Sequence, residues 1–211
     1  MHTASNNRLN AQCRACLVLA ASLMATACAV NPSGRAPEAE IQDENGFTIR
    51  EDIQVSGDVR QDFDTALRML EQEQYEQAIV LLDSVTDSAP DATAAYINLG
   101  IAYGRTGDLE NAELSIGEAL RLNPRHPVAH NEMGMIYRRT GRFDAARQSY
   151  ERALSLHPEF HFARLNLAIL CDVYLADLEC ALENYELYRE AVPDDEEASM
   201  WIADLRNRAG H

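Results

Sequence analysis

The chain has 211 residues, with 34 acidic against 18 basic side chains, no lysine, and a formal net charge of −16 at pH 7. Binding nucleic-acid phosphates requires surplus cations, so this balance argues against a nucleic-acid ligand. An arginine-only, acid-rich surface bears on solubility rather than on any particular activity.

At the amino terminus, Arg8 and Arg14 precede an apolar run over residues 16–27, and no acidic residue occurs before Glu38. That is the layout of a secretory signal peptide. The run is too short for a bilayer core, which needs about 20 apolar residues. Cleavage is predicted after Ala25-Thr26-Ala27, which would leave Cys28 first. A small residue before a cysteine, behind an apolar run, resembles the bacterial lipobox, although Ala25 stands where leucine is usual. The resemblance implies lipidation at Cys28. The alternative is plain cleavage to a soluble periplasmic product. Removing residues 1–27 takes away two arginines and leaves a net charge of −18. Residues 28–58 mix Pro32, Ser33, Gly34 and Pro37 with many charges, and are expected to form a coil tether with a reach of about 30 Å. Phe47, Ile49, Ile53 and Val55 are its apolar residues, expected to dock on the first repeat. Ala29 after the cysteine is not the aspartate that signals inner-membrane retention in enterobacterial lipoproteins, so that analogy favours the outer membrane.

From there on the chain is periodic. Pro90, Pro124 and Pro158 stand 34 residues apart, and Pro193 follows after 35. Ala78, Ala112, Ala146 and, one residue late, Ala181 keep the same interval, as do Ala119 and Ala153. Such a period marks a solenoid of repeated supersecondary units. Within residues 93–126, Tyr96, Leu99, Gly100 and Tyr103 recur at helical spacing. Gly107 is placed to end that helix in the left-handed region and Asp108 to cap the next. Ala112, Ile116, Ala119 and Leu120 form the second stripe, which Pro124 ends. Glycine and alanine at 100, 112 and 119 let the two backbones approach closely.

These residues resemble the tetratricopeptide repeat (TPR) pattern, through Asn98-Leu99-Gly100, Ala102-Tyr103, Gly107-Asp108, Ala112, Ala119-Leu120 and Pro124. The next unit matches nearly as well, through Met133-Gly134, Tyr137, Gly141, Phe143, Ala146, Tyr150, Ala153-Leu154 and Pro158. The flanking units depart from it. The first has Glu73-Gln74 in place of the mid-unit glycine, and the fourth carries an extra residue near Leu175-Ala176, which predicts a longer, altered bend. The resemblance implies an all-α TPR superhelix with repeats over 59–92, 93–126, 127–160 and 161–194, inside a domain spanning 59–211. Behind the acidic start Asp194-Asp195-Glu196-Glu197, the stripe Ala198, Trp201, Ile202 and Leu205 predicts a capping helix over about 195–208.

Residues with chemical potential have plainer readings. Cys13 and Cys16 fall in the segment expected to be discarded. Cys171 and Cys180 fall in the two helices of the fourth unit; a bridge needs alpha carbons within ~7 Å, and two separately buried thiols are the expectation. His126 with His130, and His157 with His161, are spaced four apart, but each pair straddles a repeat-ending or repeat-starting proline, which favours junction and capping roles over a metal. No nucleophile elbow, zinc-protease helix or phosphate loop occurs, so the expectation is a non-enzyme without cofactor, metal or small-molecule substrate.

The resemblance also implies an inner groove lined by the first helix of each pair. Carried over residue by residue, it names Phe63 and Leu67, Ile97 and Ile101, Asn131 and Met135, and Phe162, Leu165 and Ile169, with Arg105, Arg138 and Arg139 one step along. Where chaperone-type grooves hold a carboxylate with lysine and asparagine, Phe63 and Leu67 stand here. The expected ligand is an amphipathic helix or an extended peptide bearing an acidic group. The expected role is a lipid-anchored envelope adaptor for a protein partner, of the kind that serves secretion, pilus, envelope-assembly or energy-transduction complexes. A self-associating structural element is the alternative.

Overall fold

Four helix pairs follow one another along the chain: α1 (Gly57–Glu71) with α2 (Tyr75–Ser88), α3 (Thr93–Thr106) with α4 (Leu109–Leu122), α5 (Pro127–Arg139) with α6 (Phe143–Leu156), and α7 (His161–Ile169) with α8 (Leu178–Ala191). Helix α9 (Glu196–Ala209) packs on α8 and closes the array. The computed structural model describes residues 55–210, together with the backbone of strands 39–42 and 46–49. The leader and Cys28 lie outside the described residues.

Each boundary has a local cause. Gly107 adopts φ 90° at the end of α3, and the Asp108 carboxylate accepts from the Asn111 N–H at 3.1 Å to start α4. Gly141 does the same turn work before α6 at φ 77°. The first unit has no glycine there, and Glu73 takes the left-handed conformation instead at φ 58°, a cost of about 1–2 kcal/mol for a residue with a Cβ. The α1 helix, whose unit matched the repeat pattern less well, forms over Gly57–Glu71 with Phe63, Ala66, Leu67 and Leu70 buried.

Within a pair, small residues set the distance. A Cβ on Gly100 would sit 2.6 Å from Ile116, and one on Gly134 would sit 2.6 Å from the Tyr150 ring. Ala112, Ala119, Ala146 and Ala153 are fully buried beside them. The core divides into two clusters. One runs from α1 into α7, and the other is built around Tyr150, Leu167, Leu170, Tyr185, Ile202 and Leu205.

The fourth unit departs from the others as its extra residue predicts. Helix α7 runs into a π-helical turn over Leu170–Leu175, Ala176 adopts φ 53°, and the Asp177 N–H closes the bend on the Cys171 carbonyl at 2.9 Å. An inserted residue is commonly absorbed in a helix as such a widened turn. The expectation of two separate thiols is corrected here. Cys171 and Cys180 are joined in a disulfide with alpha carbons 5.9 Å apart, because the widened turn brings the end of α7 back over the first turn of α8.

The coil expected over 28–58 is also corrected. It contains an antiparallel hairpin of β1 (Ala39–Gln42) and β2 (Gly46–Ile49), with Ala39 opposite Ile49 and Gln42 opposite Gly46. Val55, which follows it, packs on the first core cluster beside Val59. Among the described residues no helix is long and apolar enough to cross a membrane.

Candidate functional site

The first helices of the four pairs, α1, α3, α5 and α7, follow one another along one wall, with α3 touching both α1 and α5 and α7 joined to α5 through Asn166 and Asn131. The residues assigned to the groove all lie on this wall, but not in one state. Phe63, Leu67, Ile97, Ile101 and Asn131 are buried, whereas Met135, Phe162, Leu165 and Ile169 are half-buried. Arg105 and Arg139 are exposed and Arg138 is half-buried.

Midway along the wall, a pocket of about 70 Å³ lies between α3 and α5. Ile101, Arg105, Met135 and Arg139 line it together with Gly100, Gly104, Glu132 and Ile136. Arg139 donates through Nη1 to the Gly104 carbonyl and so ties α5 to α3. Arg138 does not line this pocket; its charge acts on the phenols of Tyr150 and Tyr185.

Glu132 is the residue that the resemblance did not assign. Its carboxyl is buried at the pocket floor and accepts from Asn131 Nδ2 at 3.0 Å. Burial pushes its pKa up to about 7, against the pull of the Asn131 hydrogen bond and the nearby Arg105 charge. Asn166 Nδ2 donates to Asn131 Oδ1 at 3.0 Å and extends the network from α5 to α7. A signal was available: Asn98, Glu132 and Asn166 are spaced by the repeat period and so occupy one position in three consecutive units. Asn98 is itself buried and donates to the Ala94 carbonyl at 2.8 Å. The wall thus carries a polar ladder along its floor.

Beneath Glu132, Tyr150 is fully buried, and its hydroxyl has no hydrogen-bond partner among the described residues. Burial raises its pKa above the usual phenol range, with the Arg138 charge pulling the other way. At the junction into α5, His126 caps the helix, its Nδ1 accepting from the Ala129 N–H at 3.3 Å. Burial lowers its pKa to about 4, assisted by the neighbouring His130. His130 Nε2 lies 3.0 Å from the Pro124 carbonyl. These histidines serve the junction, as their proline context implied.

At the far end, Arg147 Nη2 donates to Asp177 at 2.6 Å and lies 3.4 Å from Cys171 Sγ. Asp177 also accepts from the Cys180 N–H at 3.1 Å, and the neighbouring Arg147 holds its carboxyl below the usual range. Cys171, Asp177 and Cys180 bring three potential ligand atoms within 4.8 Å of one another. Here the two sulfurs are bonded to each other and the carboxylate is taken by a guanidinium. The arrangement is a staple.

Stacked helix pairs with period-spaced glycine and alanine contacts, a continuous inner wall and a capping helix define a helical-repeat scaffold. Sequence models described as Tetratricopeptide repeat match residues 127–160 and 69–136. Residues 69–160 of the chain are tetratricopeptide repeats. Among solved structures, a thermophilic TPR protein from Thermus thermophilus is 25% identical with a TM-score of 0.62, the match covering 71% of this chain and 81% of that one. MamA from Desulfovibrio magneticus is 18% identical with a TM-score of 0.65, covering 74% and 88%. The first TPR domain of Spaghetti (RPAP3), solved with an HSP90 peptide, is 24% identical with a TM-score of 0.54, covering 59% and 98%. A search of curated proteins finds no match. The fold is that of a protein-interaction module.

Proposed function

We propose that this protein is a non-catalytic adaptor, lipid-anchored through Cys28 in a bacterial envelope and facing the periplasm, which holds a protein partner against the α5–α7 part of its inner wall. One observation carries the reading. Met135, Phe162, Leu165 and Ile169 present half-exposed apolar surface on the wall, with Arg138 and Arg139 at its edge. A strip of that kind suits an apolar peptide or helix face bearing an acidic group. The Cys171–Cys180 bridge supports a compartment where disulfides persist, which agrees with the leader and with an export route. Glu132 adds a condition: when ionised it places a negative charge beside Arg105 and weakens the pull of that arginine on an acidic partner group.

The test is in-cell photo-crosslinking from position 169, with position 80 as control, since Val80 lies exposed on α2 away from this wall. A distinct heterologous adduct from 169 and none from 80 is the expected result. An adduct to a second copy of the chain would replace the adaptor with a self-associating element. Cys28→Ser should move the protein from membrane to soluble periplasmic fraction, and unchanged membrane retention would refute the anchor.

A further inference from the structure

Ile97, Asn98 and Ile101 on α3 occupy the same repeat positions as Leu165, Asn166 and Ile169 on α7. The α3 set is 0, 0 and 7% exposed, whereas the α7 set is half-buried. Asn131 and Glu132 on α5 are buried as well, but the position of Ile101 separates the two halves of the wall: Leu67 on α1 and Ile101 on α3 are buried, whereas Met135 on α5 and Ile169 on α7 are half-buried. Nine of the residues of α3 are buried, among them Ala94, Ala95, Ile97, Asn98, Leu99, Gly100 and Ile101, and Gly100 lies against Ile116 of α4. Such a helix is covered all round.

Strand β2 runs beside α1 and α3, the two helices on which this position is buried. Its sequence, Gly-Phe-Thr-Ile, places Phe47 and Ile49 two residues apart, the spacing that shares one strand face. Only residues 50–56 separate it from α1. A short connection of that kind holds a segment at an effective concentration of about millimolar, so modest intrinsic affinity suffices to keep it seated.

We propose that the strand Gly46–Ile49 is a built-in occupant of the N-terminal half of the inner wall, an intramolecular competitor that confines a partner to the α5–α7 half. An extended apolar segment is therefore a ligand this wall accepts, and a partner reaching α3 must displace the chain's own strand. The seat of the strand stands apart from the adaptor reading; only its competitive consequence rests on it.

The test uses the full chain with a photoreactive phenylalanine analogue at position 47. Intramolecular adducts mapped to α1 and α3 are expected, and adducts elsewhere or to a second copy would overturn the proposal. A labelled peptide of residues 39–55, titrated into a chain lacking 39–49, should bind with a Kd of about 0.1 mM or tighter, given millimolar effective concentration and at least ninety per cent occupancy. Binding to the intact chain should be at least tenfold weaker. Equal binding to both chains would dismiss the strand as occupant. Seated adducts from 47 with no heterologous adduct from 169 would leave the strand in place and defeat the adaptor; the reverse pattern would do the opposite.

Discussion

Helices α3 and α7 hold the same repeat positions at two places along one wall, and they have different fates. On α3, Ile97 and Ile101 are core residues; on α7, Leu165 and Ile169 remain half open. Nothing in the residue types separates isoleucine from leucine in this respect. In a repeat array the position fixes which way a side chain points, and the neighbour across the wall decides whether it contributes stability or stays available for binding.

The largest effect expected from this contrast is on stability. Ile97→Glu should cost roughly 4 kcal/mol or more in urea unfolding, because it buries an unpaired charge at a fully covered site. Leu165→Glu, with water within reach, should cost less than about 1.5 kcal/mol while abolishing capture at position 169. Equal costs at the two sites would break the comparison.

Two buried groups then sharpen it through pH. The Glu132 pKa is raised in the folded chain from 4.5 to about 7, so the native state holds a proton that the unfolded state releases. Its favourable contribution is present below pH 4.5 and is lost as pH rises towards 7. Glu132→Gln should therefore stabilise by about 3 kcal/mol at pH 8, at 1.36 kcal/mol per unit, and change little at pH 4.5. His126 works in the opposite sense. Its pKa is lowered from 6.5 to about 4, so stability is lost as pH falls through that interval. His126→Asn, which keeps a capping acceptor, should flatten that acid limb by about 3 kcal/mol. Urea midpoints measured from pH 4 to 8 check both signs.

Reducing Cys171–Cys180 should lower stability by about 2–3 kcal/mol on loop-closure grounds. Faster amide exchange should be confined to α7, the widened turn and α8, and a uniform change would show that the two core clusters do not act separately. The smallest effect is expected from Asn166→Ala. Loss of its hydrogen bond to Asn131 should cost about 1 kcal/mol, and should loosen the open end of the wall without altering α3.

Much of the fold was legible because a repeat states its own geometry several times. Pro90, Pro124 and Pro158 mark unit ends, and Gly107 and Asp108 mark a turn whose φ and cap are both as their chemistry requires. The altered bend near Ala176 was readable as a one-residue surplus. What the pattern could not carry was pairing that depends on the path of a departure from it. The disulfide follows from a turn widened to i→i+5, which spacing alone does not specify. Strand β2 beside α1 and α3 belongs to a segment outside the period, so the positions assigned to the groove could be named while their exposure could not. Glu132 was hidden by the apolar and basic positions around it, although its spacing from Asn98 and Asn166 marked it.

The widened turn over Leu170–Leu175 also bears on how such an array can change length. A surplus residue inside a straight α-helix would rotate everything after it by about 100°, since each residue advances the helix by that angle, and would carry Ala181 and Tyr185 out of the core. Here the surplus is spent in one turn and α8 resumes in phase, with both residues buried. Bends of this sort are joints at which a solenoid tolerates an insertion without forfeiting what lies downstream, and a deletion at Ala176 is the change that would return the last unit to the length of its neighbours.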